Sequence, residues 1–223
     1  MKKSVILILI CFCVVPSFSK NTPGLNNYQL GLTSLSQDKL FVISTETNNI
    51  NIPAGNYYGL NGSANFFFDT KLAGKTDIGF ILGTWFGFSN SFDNTQSDKD
   101  TWGISLGLNI GFATVFQISD NNNKLALKTY LQADWDRIPV FGVKIQPQYQ
   151  MDNLLFEAGI LIPMLYAADR DESLFDASFM YLFKNVGLGL KYDLRNGRSA
   201  DKSVATVNQF NLVIQFHENF IIY

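Results

Sequence analysis

Residues 124–150 read KLALKTYLQADWDRIPVFGVKIQPQYQ, and apolar and polar side chains alternate along most of this stretch. In its first half, one face carries Leu125, Leu127, Thr129, Leu131, Ala133 and Trp135. The other face carries Lys124, Lys128, Tyr130, Gln132, Asp134 and Asp136, and residues 141–150 repeat the pattern. A period of two is what a pleated strand imposes on its side chains. The stretch therefore predicts two consecutive β-strands, each with one apolar and one polar face.

The same alternation recurs along most of the chain. It predicts nine strands, at residues 56–68, 76–88, 101–117, 124–136, 140–150, 154–166, 174–183, 186–194 and 204–216. A tenth is expected between residues 28 and 44 and is best placed at 39–44, which leaves 28–35 as a leader or as part of the first strand. Long polar connections alternate with tight ones, as in an up-and-down meander with two different rims. Because both termini are expected on one side, the strand number must be even, and eight or twelve strands are the alternatives to ten.

Strand length and the number of apolar side chains decide which face points outward. Several predicted strands have 11 or more residues, whereas the mean strand has about 5 to 6 and about 9 to 11 tilted residues cross a bilayer. With the apolar faces inward, about fifty large side chains would have to fit into a lumen that a modest number already fills. The sequence therefore predicts an all-β, up-and-down antiparallel transmembrane β-barrel with its apolar face against outer-membrane lipid.

The polar face should then line the lumen. The predicted lumen-lining residues are Lys128, Gln132, Asp134, Lys144, Gln146, Glu157 and Lys191, and Lys124, Asp176 and Asp193 share their inward parity. If residues 137–139 form a short connection, Asp134 lies opposite Gly142 and diagonal to Lys144, within reach of its long side chain. Charges of both signs indicate ion pairs, which would make a narrow lumen either a plug or a small polar conduit.

Aromatic residues are expected in two rows, as on a membrane barrel whose rings favour the two water–lipid interfaces. The row near the long loops comprises Phe88, Trp102, Trp135 and Tyr166, and the row near the tight turns comprises Phe112, Tyr149, Phe183 and Phe216. The alternative is that aromatic residues merely suit strands. Trp85 departs from the pattern, because its parity points it into the lumen.

The N-terminus has the order of a secretory signal peptide. Lys2 and Lys3 precede an apolar run at residues 5–15, and Pro16 and small residues follow it. We expect cleavage after Ser19, which makes residues 1–19 a signal peptide and residues 20–223 one barrel domain. Both cysteines, at positions 11 and 13, would be removed with the signal, and a lipidated Cys11 is the alternative.

Composition and residue types argue against several function classes. Removal of the signal leaves 15 basic against 19 acidic residues, a net charge of about −4, which offers no footprint for nucleic acid. His217 is the single histidine and is expected beyond the last strand on the periplasmic side, so a catalytic triad has no imidazole at the outer rim. Asp134 and Asp136 could serve acid–base chemistry or Ca²⁺, but a structural role is favoured. No enzyme activity, metal or cofactor is expected.

The end of the chain carries a family resemblance. Phe210, Leu212, Ile214 and Phe216 alternate with Asn211, Val213 and Gln215. This segment resembles the C-terminal signal of bacterial outer-membrane β-barrel proteins, whose last strand finishes on an aromatic residue. The resemblance implies an outer-membrane location and insertion by the barrel-assembly machinery. Residues 217–223 depart from the pattern, although Tyr223 is itself aromatic.

Three functions follow from this fold. The favoured one is a small porin-like or general outer-membrane protein that gives limited passage to small polar solutes. The alternative is a surface protein that binds a host or surface ligand through its loops at residues 50–55, 89–100 and 195–203. A third is a soluble exported barrel that carries a lipid in an apolar cavity.

Overall fold

The chain is all-β in its computed structural model. The structure describes residues 25, 27–38, 41–44, 49–52, 54–71, 76–91, 102–118, 123–135, 140–165, 173–183, 186–198 and 204–217. The strands are β1 (Asn27–Gln37), β2 (Phe41–Ser44), β3 (Asn49–Ile52), β4 (Gly55–Lys71), β5 (Thr76–Ser91), β6 (Trp102–Gln117), β7 (Lys124–Trp135), β8 (Val140–Met151), β9 (Leu154–Leu165), β10 (Ser173–Leu182), β11 (Val186–Arg198) and β12 (Val204–His217). Within these residues, no helix has the length and apolar character needed to cross a membrane.

Ten of these strands form one closed antiparallel barrel. From β4 to β12 each strand pairs with the next along the chain, and β1 closes the ring by pairing with both β4 and β12. The β4–β5, β6–β7, β8–β9 and β10–β11 connections lie at one end together with the first residue of β1 and the last of β12; we call this the turn end. The opposite rim is the loop end. Strands β2 and β3 form a separate hairpin within the β1–β4 connection, which starts and finishes at the loop end.

The barrel exposes its apolar side chains and buries its polar ones. On β7, Leu125, Leu127 and Leu131 are 39%, 45% and 42% exposed. On the opposite face of the same strand, Lys128, Gln132 and Asp134 are only 6%, 5% and 2% exposed. Because most exposed large side chains of the other barrel strands are apolar as well, the outer wall is apolar and the interior holds the polar groups.

The tenth strand lies in the predicted segment, but its preferred placement at 39–44 was wrong. Asn27–Gln37 is the barrel strand, and the segment placed at 39–44 contributes Phe41–Ser44 to the separate hairpin instead. The alternation of apolar and polar side chains is weaker in β1 than in the other strands, because Ser34 and Ser36 occupy outward positions and Leu35 is buried inside. Residues 41–44 are more apolar as a run, which favoured them in the sequence although they have no place in the barrel.

The predicted register between β7 and β8 was also wrong. Asp134 pairs with Val140, and Gly142 pairs with Gln132, so the two strands are offset by two residues from the expectation. A shift of two residues keeps every side chain on its own face. The alternation therefore fits both registers equally well and could not distinguish them.

The other nine strand predictions agree with the structure to within a few residues. At the turn end β4 continues to Lys71, which is one of the largest differences. Two others are at the loop end, where β5 continues to Ser91 and β11 to Arg198. Both extensions are polar and were assigned to the loops at 89–100 and 195–203, because polar residues do not alternate with apolar ones there. They nevertheless pair with β4 and β12 respectively, which lengthens the wall toward the loop end.

Candidate functional site

The lumen of the barrel contains a cavity of about 140 Å³. Of the lumen-lining residues expected from the sequence, the cavity is lined by Lys128, Gln132, Lys144, Gln146, Glu157 and Lys191. Asp134 does not line the cavity but is buried beside it, where its carboxylate accepts a 2.6 Å hydrogen bond from Gln132 Nε2. These side chains come from β7, β8, β9 and β11, within five consecutive strands of the barrel, so the structure brings them together on one wall.

The charged side chains of this wall neutralise one another. The nitrogen–oxygen distances are 2.7 Å for Lys128 with Glu157, 2.5 Å for Lys144 with Asp176, 3.2 Å for Lys191 with Asp193 and 3.8 Å for Arg195 with Asp134. Four cations therefore meet four carboxylates. Gln146 connects Tyr130 to the carboxylate of Asp176, because its side chain accepts a hydrogen bond from Tyr130 Oη at 2.8 Å and donates one to Asp176 Oδ2 at 2.9 Å. We call this side of the lumen the ion-pair wall.

The opposite side of the lumen is uncharged and rich in amides. Strands β1, β4 and β12 contribute Asn27, Gln29, Thr33, Asn61, Ser63, Asn65 and Asn211, all of which line the cavity. Thr33 Oγ1 donates to Asn211 Oδ1 at 2.8 Å, and Asn61 donates to both of these side chains. We call this side the amide wall. Its hydroxyl and amide groups hold one another in place across three strands.

A contact between three strands narrows the lumen toward the loop end. Trp85 Nε1 of β5 donates a 3.0 Å hydrogen bond to Asp134 Oδ1 of β7, and the Arg195 guanidinium of β11 lies 5.9 Å from the Trp85 ring centroid. Trp85 reaches across β6 above Gly107, where an added Cβ would lie 1.9 Å from Trp85 Nε1. Glycine at position 107 is thus what allows the indole to cross. The inward parity of Trp85 predicted its side of the wall but not these partners.

Toward the turn end the lumen holds two groups of buried apolar side chains that the sequence reasoning missed, beside buried polar ones such as Gln148 and Gln215. On one side are Leu25, Phe67, Ile81, Ala113, Val115 and Ala126, and on the other are Leu155, Met180, Leu182 and Val213; every one is at most 4% exposed. We call these ten residues the apolar layer. Leu25, Ile81, Met180 and Val213 also line the cavity, so the layer bounds part of it. The sequence signal that could have predicted this layer is the presence of apolar residues at inward positions in the turn-end half of several strands.

The predicted aromatic rows are described in part. Phe88, Phe112 and Phe183 are exposed on the outer wall, and Tyr149 and Phe216 are half-buried. Outward rings near the turn end touch one another, as Phe80 does with Phe112 at 5.9 Å and Tyr181 with Phe183 at 5.0 Å between centroids. Trp102 and Trp135 belong to β6 and β7, but their side chains, like the whole of Tyr166, lie outside the described residues.

The described residues contain no candidate metal centre. Across the described ranges no group of three His, Cys, Asp or Glu side chains could hold a metal ion. His217 is the last residue of β12 and so lies within the strand. The sequence analysis had placed it beyond the end of the strand. Asp134 is engaged by Trp85, Gln132 and Arg195, while its proposed partner Asp136 lies outside the described residues.

Comparisons with known proteins give structural likeness only. No family model matches the chain, and no curated protein matches it. Among solved structures, an outer membrane channel from Pseudomonas putida F1 is similar with a TM-score of 0.45 and 13% identity, over 90% of this chain and 99% of that one. The outer membrane protease OmpT from Escherichia coli has a TM-score of 0.41 at 8% identity, over 89% and 98% of the two chains. The Pseudomonas putida toluene transporter TodX has a TM-score of 0.35 at 10% identity, over 89% and 90%. At these values, function has to be inferred from the geometry.

Proposed function

We propose that this protein is an outer-membrane β-barrel of the porin-like kind, which gives limited passage to small polar solutes through its lumen. The observation that carries the proposal is the inverted distribution of side chains, with leucine, isoleucine and phenylalanine outside and lysine, aspartate and glutamine inside. A soluble barrel with a lipid in its lumen would need the reverse arrangement. Ring closure between β1 and β12 supports the same proposal, because it leaves no unpaired barrel edge to face hydrocarbon.

Passage should be limited because two features obstruct the lumen. The apolar layer bounds part of the cavity toward the turn end, and apolar side chains in a narrow lumen hinder ions and polar solutes. Toward the loop end, Trp85, Asp134 and Arg195 cross part of the lumen. We therefore expect conduction to depend on movement of side chains in the apolar layer.

The proposal extends to export and assembly. Residues 1–19 would be removed as a signal peptide, and the alternating terminal strand would be read by the barrel-assembly machinery. Mass spectrometry of the protein from an outer-membrane fraction measures the first point directly, since the mature chain should begin at Lys20.

The wild-type protein tests the proposal most directly. We expect it to partition into detergent micelles and to migrate differently on gels before and after boiling, because a closed barrel resists the detergent until it is heated. In planar bilayers it should give small conductance steps with long closed intervals. Fully water-soluble protein would contradict the membrane assignment, and a folded, inserted barrel without any conductance or solute uptake would remove the porin-like part.

A second candidate function is ligand binding at the loop end, and the β2–β3 hairpin favours it. This hairpin is an ordered element inside the β1–β4 connection that takes no part in closing the barrel. Replacing residues 41–52 with a short Gly-Ser linker should leave detergent partitioning and heat-modifiable migration unchanged, because β1 and β4 pair without the hairpin.

Attachment to host cells or surface ligands should then fall to background if the hairpin is the binding element. A parallel replacement of residues 199–203, which join β11 to β12 at the same rim, tests a second of the predicted binding loops. Unchanged attachment after both replacements would exclude this function for these loops.

A further inference from the structure

We propose that the lumen selects uncharged, hydrogen-bonding solutes, such as small polyols and sugars, over ions. This inference rests on the proposed porin-like function and names its substrate class. It derives from the different composition of the two walls of the cavity: one holds charges that are already paired with one another, and the other holds amides and hydroxyls.

The ion-pair wall offers no net charge to a solute. Side chains of Lys144 and Asp176 are 6% and 1% exposed at a separation of 2.5 Å, so their charges act mainly on each other. Glu157 is held from two sides, by Lys128 Nζ at 2.7 Å and by Ser178 Oγ at 3.1 Å. An entering ion would have to replace its hydration with groups that already have partners, and removing a charge from water without a partner is costly.

The amide wall, in contrast, suits a neutral solute. Amide side chains present both a donor and an acceptor, so they match a hydroxyl group, which is also both. Asn109 lines the same cavity from β6, and its Oδ1 is buried without a hydrogen-bond partner among the described residues. A solute hydroxyl can donate to this oxygen, whereas an anion would be repelled by it. Gln29 and Ser63 extend the same kind of surface along β1 and β4.

The size of the cavity fits the same class. A cavity of about 140 Å³ has room for about five waters, since each takes up about 30 Å³ in the liquid. A solute that displaces several of these waters must reproduce their hydrogen bonds to keep the free-energy cost low. Small polyhydroxy compounds can do this, and large or apolar compounds cannot.

The position most sensitive to charge is the pair of Lys191 and Asp193. The Lys191 side chain is 34% exposed, more than any other member of the four ion pairs, and it lines the cavity with Asp193 at 3.2 Å. Asp193 Oδ2 also accepts a 3.0 Å hydrogen bond from Asn211 Nδ2, which an asparagine oxygen can equally accept. The substitution Asp193→Asn therefore removes one negative charge from the lumen with little change of shape, and it leaves Lys191 as an unpaired cation beside the cavity.

The test uses the exported protein in liposomes and planar bilayers. We expect uptake of glycerol and ribose to exceed uptake of glutamate and lysine several-fold, and the zero-current potential in a KCl gradient to stay close to zero. Asp193→Asn should raise the chloride-to-potassium permeability ratio several-fold. The matched control is Asp152→Asn, which removes the same charge from an exposed turn outside the lumen and should leave the ratio unchanged.

Strong ion selectivity of the wild-type protein, or faster uptake of glutamate or lysine than of ribose, would overturn the inference and leave the porin-like function standing. The variant Phe67→Ala, which thins the apolar layer, separates the two proposals further. If the wild-type barrel passes nothing but this variant passes glycerol and ribose in preference to ions, the selectivity stands and the porin-like function of the native protein fails. If the opened variant prefers ions, or passes no solute at all, the selectivity is refuted.

Discussion

Replacing Leu108 with arginine should destabilise the inserted barrel by about 2–4 kcal/mol, the range for a cationic side chain near the middle of a bilayer. Leu108 is 52% exposed on the outer wall and pairs with Thr84 near the middle of β5. The added charge would have to lie in hydrocarbon or bend toward a distant interface. Urea titration of the protein in lipid vesicles, followed by heat-modifiable migration, measures the change in the free energy of unfolding.

Two controls accompany this substitution. Leu108→Phe keeps the surface apolar and should change the free energy little, and Asn153→Arg adds the same charge at an exposed turn. In a water-soluble barrel, an arginine at an exposed position such as 108 would be nearly neutral, within about 0.5 kcal/mol. A neutral Leu108→Arg would therefore count against the membrane location itself.

Thinning the apolar layer should produce the largest change in permeability. Phe67 is 1% exposed and packs within this layer, so Phe67→Ala removes the one aromatic ring of the layer. We expect the single-channel conductance to rise several-fold and the closed intervals to shorten, because water can then bridge the two ends of the lumen. Planar-bilayer recording measures both quantities.

The neighbouring residue provides the matched control for this experiment. Phe68 lies on the same strand but points outward, so Phe68→Ala removes an identical ring from the outer wall and should leave conductance unchanged. Loss of the buried aromatic ring of Phe67 should cost about 3–5 kcal/mol of stability, so heat-modifiable migration must be shown for each variant first. Equal conductance in the folded wild-type protein and the folded Phe67→Ala variant would show that the layer is not the barrier.

The sequence predicted the wall of this barrel well, because the wall depends on a simple period. Strands such as Lys124–Trp135 and Val140–Met151 separate apolar from polar side chains so clearly that their existence and facing follow from parity alone. The first strand was not placed correctly from the sequence, because Ser34 and Ser36 occupy outward positions where the other strands carry apolar residues. Its place in the barrel follows from its pairing with β4 and β12, which is a long-range property.

The contents of the lumen were much harder to predict. Parity placed Lys144 inside, but the register error suggested Asp134 as its partner, and the structure pairs it with Asp176 from β10. Contacts across a closed ring depend on strand tilt and curvature, which no local pattern contains. The apolar layer was missed for a related reason. Phe67 and Leu155 are apolar residues at inward positions, where most other residues are polar, and their grouping with other apolar residues appears only in the closed barrel.

The pairing of β1 with β12 has a consequence for how the chain folds. Asn27 faces His217, so the two sides of this seam are separated by nearly the whole chain. Contacts of such high sequence separation form slowly, because the entropy of closing the intervening loop is lost before the contact contributes stability. Until the seam forms, both border strands display unpaired amides and carbonyls that can recruit a second chain into aggregates. The nascent polypeptide therefore depends on protection from self-association until its final strand is available.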